Sequence, residues 1–216
     1  MTARLRFFPS VYVPAIRNPF QVAKSVGTAA VLSGDRVALG VGIGWCREEF
    51  DLLEQDFGTR GRRTDEALRL MQALWQPGWT EFEGDFYSAP RMVMEPTPTA
   101  PIPVYVGGLS EVAFRRAARQ DGWVGDLYTV DEAAEHATTL ARMREEAGNE
   151  RDFSVITALT DAFTPEQFAR AEELGVTDVM TMPWAYYHGL DVGLEQKLDG
   201  LERFAEDVLR PLAPGK

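Results

Sequence analysis

The sequence predicts an α/β fold built on a parallel sheet, and two observations predict it. Runs of β-branched and apolar residues, each closed by a Gly, a Pro or a polar turn, alternate with stretches whose apolar residues recur at helical spacing. Each strand candidate is followed by a helical one, the pattern of a parallel sheet with crossover helices. The length of 216 residues fits one domain, and a hydrophobic fraction of 45% supplies a sizeable core.

In order, the strand candidates are Leu5–Val13, Arg36–Ile43, Ile102–Val106, Gly122–Asp126, Phe153–Leu159 and Val176–Met182, giving six strand–helix units. The first contains Pro9 and Pro14, which disrupt ladder pairing and point to a bulge rather than a plain central strand. In the helix near Asp65–Trp75, Ala67, Leu70, Met71 and Leu74 share one face, while Arg62, Arg63, Glu66 and Arg69 fall largely elsewhere. The last helix repeats the stripe with Leu194, Leu198, Leu201, Ala205 and Val208. Both stripes read as packing against a sheet and carry no chemistry.

Between the second and third strands lies a long insertion, residues 45–100. It holds the amphipathic helix and then Thr80–Tyr87, whose aromatic alternation around Gly84-Asp85 suggests a short hairpin. The run Pro96–Pro103 cannot be helical and delivers an extended chain into the third strand. No low-complexity linker interrupts the chain, so residues 1–216 are expected to form a single domain.

The formal net charge of −11 disfavours nucleic acid and anionic membranes, whose binding relies on neutralising phosphates. It does not exclude an anionic small molecule, which backbone N–H groups and a local Arg can hold. A single cysteine, Cys46, forms no internal disulfide, and no leader or membrane-length apolar run is seen, so a cytoplasmic protein is expected. No Cys/His spacing suggests a metal.

Ligands of parallel α/β folds bind at the C-terminal ends of strands. One such end is Gly42-Ile43-Gly44-Trp45-Cys46, where two glycines either admit a ligand close to the backbone or make a tight turn. Arg47 stands where a dinucleotide fingerprint needs its third glycine. A second is Val104–Glu111, where Gly107-Gly108 lead into a helix. Helix-start N–H groups and the helix dipole suit a phosphate, with Ser110 either binding the anion or serving as an ordinary N-cap. His136 lies within a helical stretch and reads as surface or packing. His188 follows Trp184-Ala185-Tyr186-Tyr187 after the last strand and either lines a substrate pocket or belongs to an aromatic lid. Cys46 lacks an adjacent base and does not read as a nucleophile.

Taken together, several ordered motifs resemble the luciferase-like monooxygenase class. They are Arg17-Asn18-Pro19-Phe20, Leu32–Val37, Leu39–Trp45, Glu48-Glu49-Phe50, Arg60–Glu66, Phe82–Tyr87, Pro103–Gly108, Arg115–Ala118 and Asp121-Gly122-Trp123. Within that class the pattern most resembles the branch that uses the deazaflavin coenzyme F420 for hydride transfer, while members using flavin mononucleotide (FMN) share much of it. The resemblance implies a (β/α)8 TIM-barrel type, a small organic substrate, and a non-prolyl cis peptide at Ser10–Val11 beneath the cofactor ring. It places Ser10, Val11, Val13, Ile43 and Gly44 near the ring or ribityl chain, and Gly107, Gly108 and Ser110 at the phosphate.

The six units match the third to eighth of the class, so the barrel is expected to be incomplete, lacking the first two. An open barrel leaves apolar edges, which favours a homodimer. Some members carry a catalytic Glu directly after the Gly-x-Gly, where this chain has Trp45. Glu48 and Glu49 are nearby acids, and no catalytic residue is assigned. The alternatives to an F420-dependent oxidoreductase are an FMN-dependent monooxygenase of the same class and a non-catalytic cofactor-binding or dimerisation protein.

Overall fold

A computed structural model describes residues 2–213. Its contacts divide the chain into two compact units, Met1–Gly122 and Trp123–Lys216. The expected α/β class with parallel pairing is what both contain.

The first unit opens with an extended segment that pairs in parallel with the next strand at isolated bridges, Phe7 with Val37 and Tyr12 with Val41. Helix α1 (Pro19–Ser33) follows, with the Asn18 side chain accepting from the N–H of Phe20 and Gly34 closing it in the left-handed region. Strand β1 (Leu39–Val41) is fully buried, as expected of a parallel strand covered on both faces. After α2 (Arg47–Leu52) and α3 (Arg60–Leu74), the antiparallel hairpin β2 (Thr80–Glu83) and β3 (Ser88–Met92) appears where the aromatic alternation suggested it. Strand β4 (Val104–Gly107) pairs in parallel with β1, Leu39 opposite Val104, and leads into α4 (Glu111–Ala117).

In the second unit β5 (Gly122–Tyr128), β6 (Ser154–Leu159) and β7 (Asp178–Val179) are neighbours in that order, β6 and β7 in parallel. Helices α5 (Val130–Glu146) and α6 (Pro165–Glu173) alternate with them, and α7 (Ala185–His188), α8 (Leu194–Phe204), a π-helical turn (Ala205–Leu209) and α9 (Arg210–Leu212) follow. A buried cluster that includes Val130, Leu159, Phe168, Phe204 and Val208 forms its core. Gly200 is required there, because a Cβ would lie 2.4 Å from the Trp184 Cα.

Three strand expectations are shortened, the second, Arg36–Ile43, to Leu39–Val41 with a bridge at Val37. The first keeps only its two bridges, because the bulge around Pro9 lifts residues 8–11 off the ladder. The last shrinks to Asp178–Val179. Glu66 also departs from its assignment to the polar face: it is 3% exposed, folded under the hairpin of the insertion. Among the described residues no helix is long and apolar enough to cross a membrane, and no group of three or more His, Cys, Asp and Glu could hold a metal ion.

Candidate active site

The bulge sets the geometry of the candidate site. The N–H of Phe7 donates to the Arg36 carbonyl and that of Tyr12 to the Gly40 carbonyl, at 3.1 and 2.8 Å. Phe7 to Tyr12 is therefore five steps facing the four from Val37 to Val41, one residue too many for a regular ladder. The surplus arches over Gly40, whose added Cβ would lie 2.1 Å from the Pro9 carbonyl oxygen. Ser10–Val11 is a cis peptide, as the resemblance implied.

The arch delivers Val11 across two strand ends. A Cβ on Gly42 would meet Val11 Cγ2 at 2.7 Å, and one on Gly107 would meet Val11 Cγ1 at 3.0 Å. The isopropyl group thus fills the room that these two glycines leave, yet Val11 is 41% exposed. The result is an apolar shelf at the C-terminal ends of β1 and β4. Val13 and Gly44 lie beside it: Gly44 has φ +82°, and its Cβ would meet Phe50 at 2.8 Å and Val13 at 3.0 Å. Ile43 is half-buried between the glycines.

Past Gly107, Gly108 turns with φ +122° and Ser110 caps α4, its Oγ accepting from the Ala113 N–H at 3.2 Å. The N-cap alternative for Ser110 is the one the geometry has. The first-turn N–H groups of a helix still face outward from such a cap.

The other candidates have partners of their own. The Cys46 thiol donates to Glu48 Oε2 at 3.3 Å. The Glu48 carboxyl is held below its usual range, first by a backbone N–H at the start of α2 and then by that thiol, so it serves as a helix-start anion. In the second unit His136 packs edge-on to Tyr128, ring centroids 4.6 Å apart, which is the packing role expected of it. His188 Nε2 pairs with Asp199 at 2.5 Å, and the Tyr187 hydroxyl donates to Asp207 at 3.0 Å, tying α7 to the last helices.

Sequence reading missed a group at the start of α3. Arg60 Nε donates to the Gly44 carbonyl at 3.1 Å, and Arg63 donates to the carbonyl of Ala15, just beyond Val13. Asp65 holds the buried Arg116 of α4 through two bonds of 2.5 and 3.0 Å. Glu66 accepts the N–H groups of Asp85, Phe86 and Tyr87 at 3.0, 2.8 and 2.7 Å. The signal was the charged run Arg60–Glu66 itself, from which helical periodicity set Arg62, Arg63 and Glu66 largely off the apolar face.

Comparison with known proteins places this geometry. The family model described as luciferase-like monooxygenase matches residues 1–188. The chain belongs to the luciferase-like monooxygenase family. An uncharacterised relative from Mycobacterium tuberculosis is 41% identical over 211 residues, covering 97% of this chain and 73% of its own length. An F420-dependent glucose-6-phosphate dehydrogenase from Tsukamurella paurometabola is 31% identical over 222 residues, covering 96% of this chain and 63% of the dehydrogenase. Among solved structures, the F420-dependent tetrahydromethanopterin reductase of Methanopyrus kandleri has a TM-score of 0.75 at 14% identity, covering 96% of this chain and 83% of that one. A monooxygenase from Streptomyces bottropensis scores 0.76 at 15% identity, covering 98% and 80%. These likenesses establish the TIM-barrel-type fold of luciferase-like proteins, without a closed barrel among the described residues.

Proposed function

We propose that this family member is an oxidoreductase moving a hydride between F420 and a small organic substrate. The observation that carries the reading is the Val11 shelf over Gly42 and Gly107, continuous with the turn Gly107-Gly108 and the start of α4 at Ser110. A planar ring needs an apolar face to lie on, and a phosphate is suited by a glycine turn opening a helix. The residues present fit both needs.

Ser10, Val11, Val13, Ile43 and Gly44 would then support the ring and its chain, and Gly107, Gly108 and the helix start that Ser110 caps would hold the phosphate. Bound there, F420 supplies the two-electron hydride chemistry, and the protein supplies position and polarity. Trp45 and Leu109, next in sequence to Gly44 and Gly108, are exposed apolar residues open to a substrate. No side chain is assigned as acid or base, since Glu48 is committed to the start of α2.

The F420 preference draws on the dehydrogenase relative. The family's monooxygenase description and an FMN-bound diketocamphane monooxygenase of the same fold, TM-score 0.59, support an FMN-dependent second reading. We also propose that residues 1–216 act as one domain in a cytoplasmic homodimer, with the exposed Leu5 and Phe7 as its contact.

Purified protein titrated with F420 and with FMN, then assayed against alcohols, aldehydes and enones, tests the reading. Saturable F420 binding with substrate-dependent turnover is expected. FMN binding with oxygen consumption would select the second reading, and binding without turnover would reject an enzyme.

A further inference from the structure

The run Arg60–Glu66 has no role in the function above, although its side chains reach Gly44 beside the shelf and, at Arg116, the helix that follows β4. Arg60, the first residue of α3, donates Nε to the Gly44 carbonyl at 3.1 Å and Nη1 to the Phe57 carbonyl at 2.8 Å. Its guanidinium lies 3.7 Å from the Phe57 ring centroid. Gly44 sits in the left-handed region, packed against Phe50 and Val13, and its carbonyl accepts from Arg60. Arg60 therefore holds the carbonyl of the turn that follows β1.

Five residues on, Asp65 meets Arg116, which is 4% exposed and also donates to the Gly61 carbonyl at 3.4 Å. Arg116 lies in the last turn of α4, and Ser110 caps its first. At about 1.5 Å rise per residue the helix is only about 10 Å long, so its far-end anchor governs where the cap points. A bidentate, charge-assisted pair is the contact best suited to fix such an orientation.

We propose that the first turns of α3 position the cofactor site, Arg60 setting the strand end at Gly44 and Asp65, through Arg116, setting the helix that starts at Ser110. Both act through backbone or another side chain, so they are positioning residues. What the site binds rests on the function proposed above; the positioning does not.

Hydrogen exchange by mass spectrometry on the full chain tests it without cofactor, and titration with F420 and FMN adds a functional readout. The variants are Arg60→Met, Arg60→Lys and Asp65→Asn. The control is Trp75→Phe, which deletes a 2.9 Å bond to the Ala23 carbonyl from the other end of α3. Arg60→Met should speed exchange about tenfold or more at residues 42–46, with partial rescue in Arg60→Lys, and Asp65→Asn should do so at 107–113. Arg60→Met and Asp65→Asn should also bind the cofactor more weakly than the wild type. Trp75→Phe should lower the melting point while leaving both segments protected. Unchanged protection in the Arg60 and Asp65 variants, or equal loss in Trp75→Phe, overturns the proposal. If Asp65→Asn does not fold, the two Arg60 variants decide. A wild type that binds neither cofactor rejects the proposed function, and the exchange data still decide the positioning.

Discussion

Replacing Glu66 with Gln removes a charge while keeping the shape of a side chain that is 3% exposed. In the native protein Oε2 accepts the Asp85 N–H at 3.0 Å, while Oε1 accepts those of Phe86 and Tyr87 at 2.8 and 2.7 Å. The glutamine amide has one acceptor oxygen. If that oxygen keeps Phe86 and Tyr87, the NH2 group faces the Asp85 N–H, donor against donor. Loss of one hydrogen bond to a charged acceptor costs about 1.5 to 3 kcal/mol, and the two that remain lose their charge assistance. A total of about 2 to 4 kcal/mol follows, or roughly 4 to 16 °C in melting temperature for a chain of this size. Thermal denaturation followed by circular dichroism reads the stability, and limited proteolysis reads opening of residues 80–92. A Glu66→Gln protein within about 0.5 kcal/mol of wild type, where ordinary surface substitutions fall, would refute the buried-anchor account.

Gly40→Ala should destabilise the first unit by at least about 1 to 3 kcal/mol, because the new Cβ would lie 2.1 Å from the Pro9 carbonyl, a backbone atom that cannot swing aside; urea denaturation measures it. Gly200→Ala should do the same in the second unit, where the Cβ would meet Trp184 Cα at 2.4 Å, and tryptophan fluorescence during denaturation reads it. The Glu132 carboxyl is held below its usual range by the Thr129 N–H and then the Thr129 hydroxyl. Its folded value lies under its unfolded one, so its contribution is present above the unfolded value and is lost as pH falls through the folded one. Glu132→Gln should therefore lower stability at neutral and alkaline pH, change it little at the acid limit, and so make the loss of stability with falling pH shallower, as melting temperatures across pH would show.

The parts of the site that were legible in the sequence are those encoded by backbone demand. Gly42, Gly44, Gly107 and Gly108 stand at strand ends, and Pro9 and Pro14 announce a bulge; such signals are local and survive without tertiary information. The support of the site was not legible, because periodicity assigns a residue to a helix face but cannot say what covers that face. Glu66 and Arg63 lie on the polar side of α3, yet the hairpin folds over Glu66 and the Pro14–Ile16 turn meets Arg63. Asp65 and Arg116 are 51 residues apart, and no local pattern pairs them. His188 likewise gains its partner Asp199 only when α7 packs on α8.

The most direct test of the central claim is an F420 titration of the wild type beside Gly107→Val, monitored by coenzyme fluorescence. Even a bare Cβ at Gly107 would stand 3.0 Å from Val11 Cγ1, so valine must displace the shelf. The account predicts saturable binding to the wild type and its loss in Gly107→Val with the fold retained. Equal affinity in the two proteins, or no binding of F420 or FMN to the wild type, would contradict it.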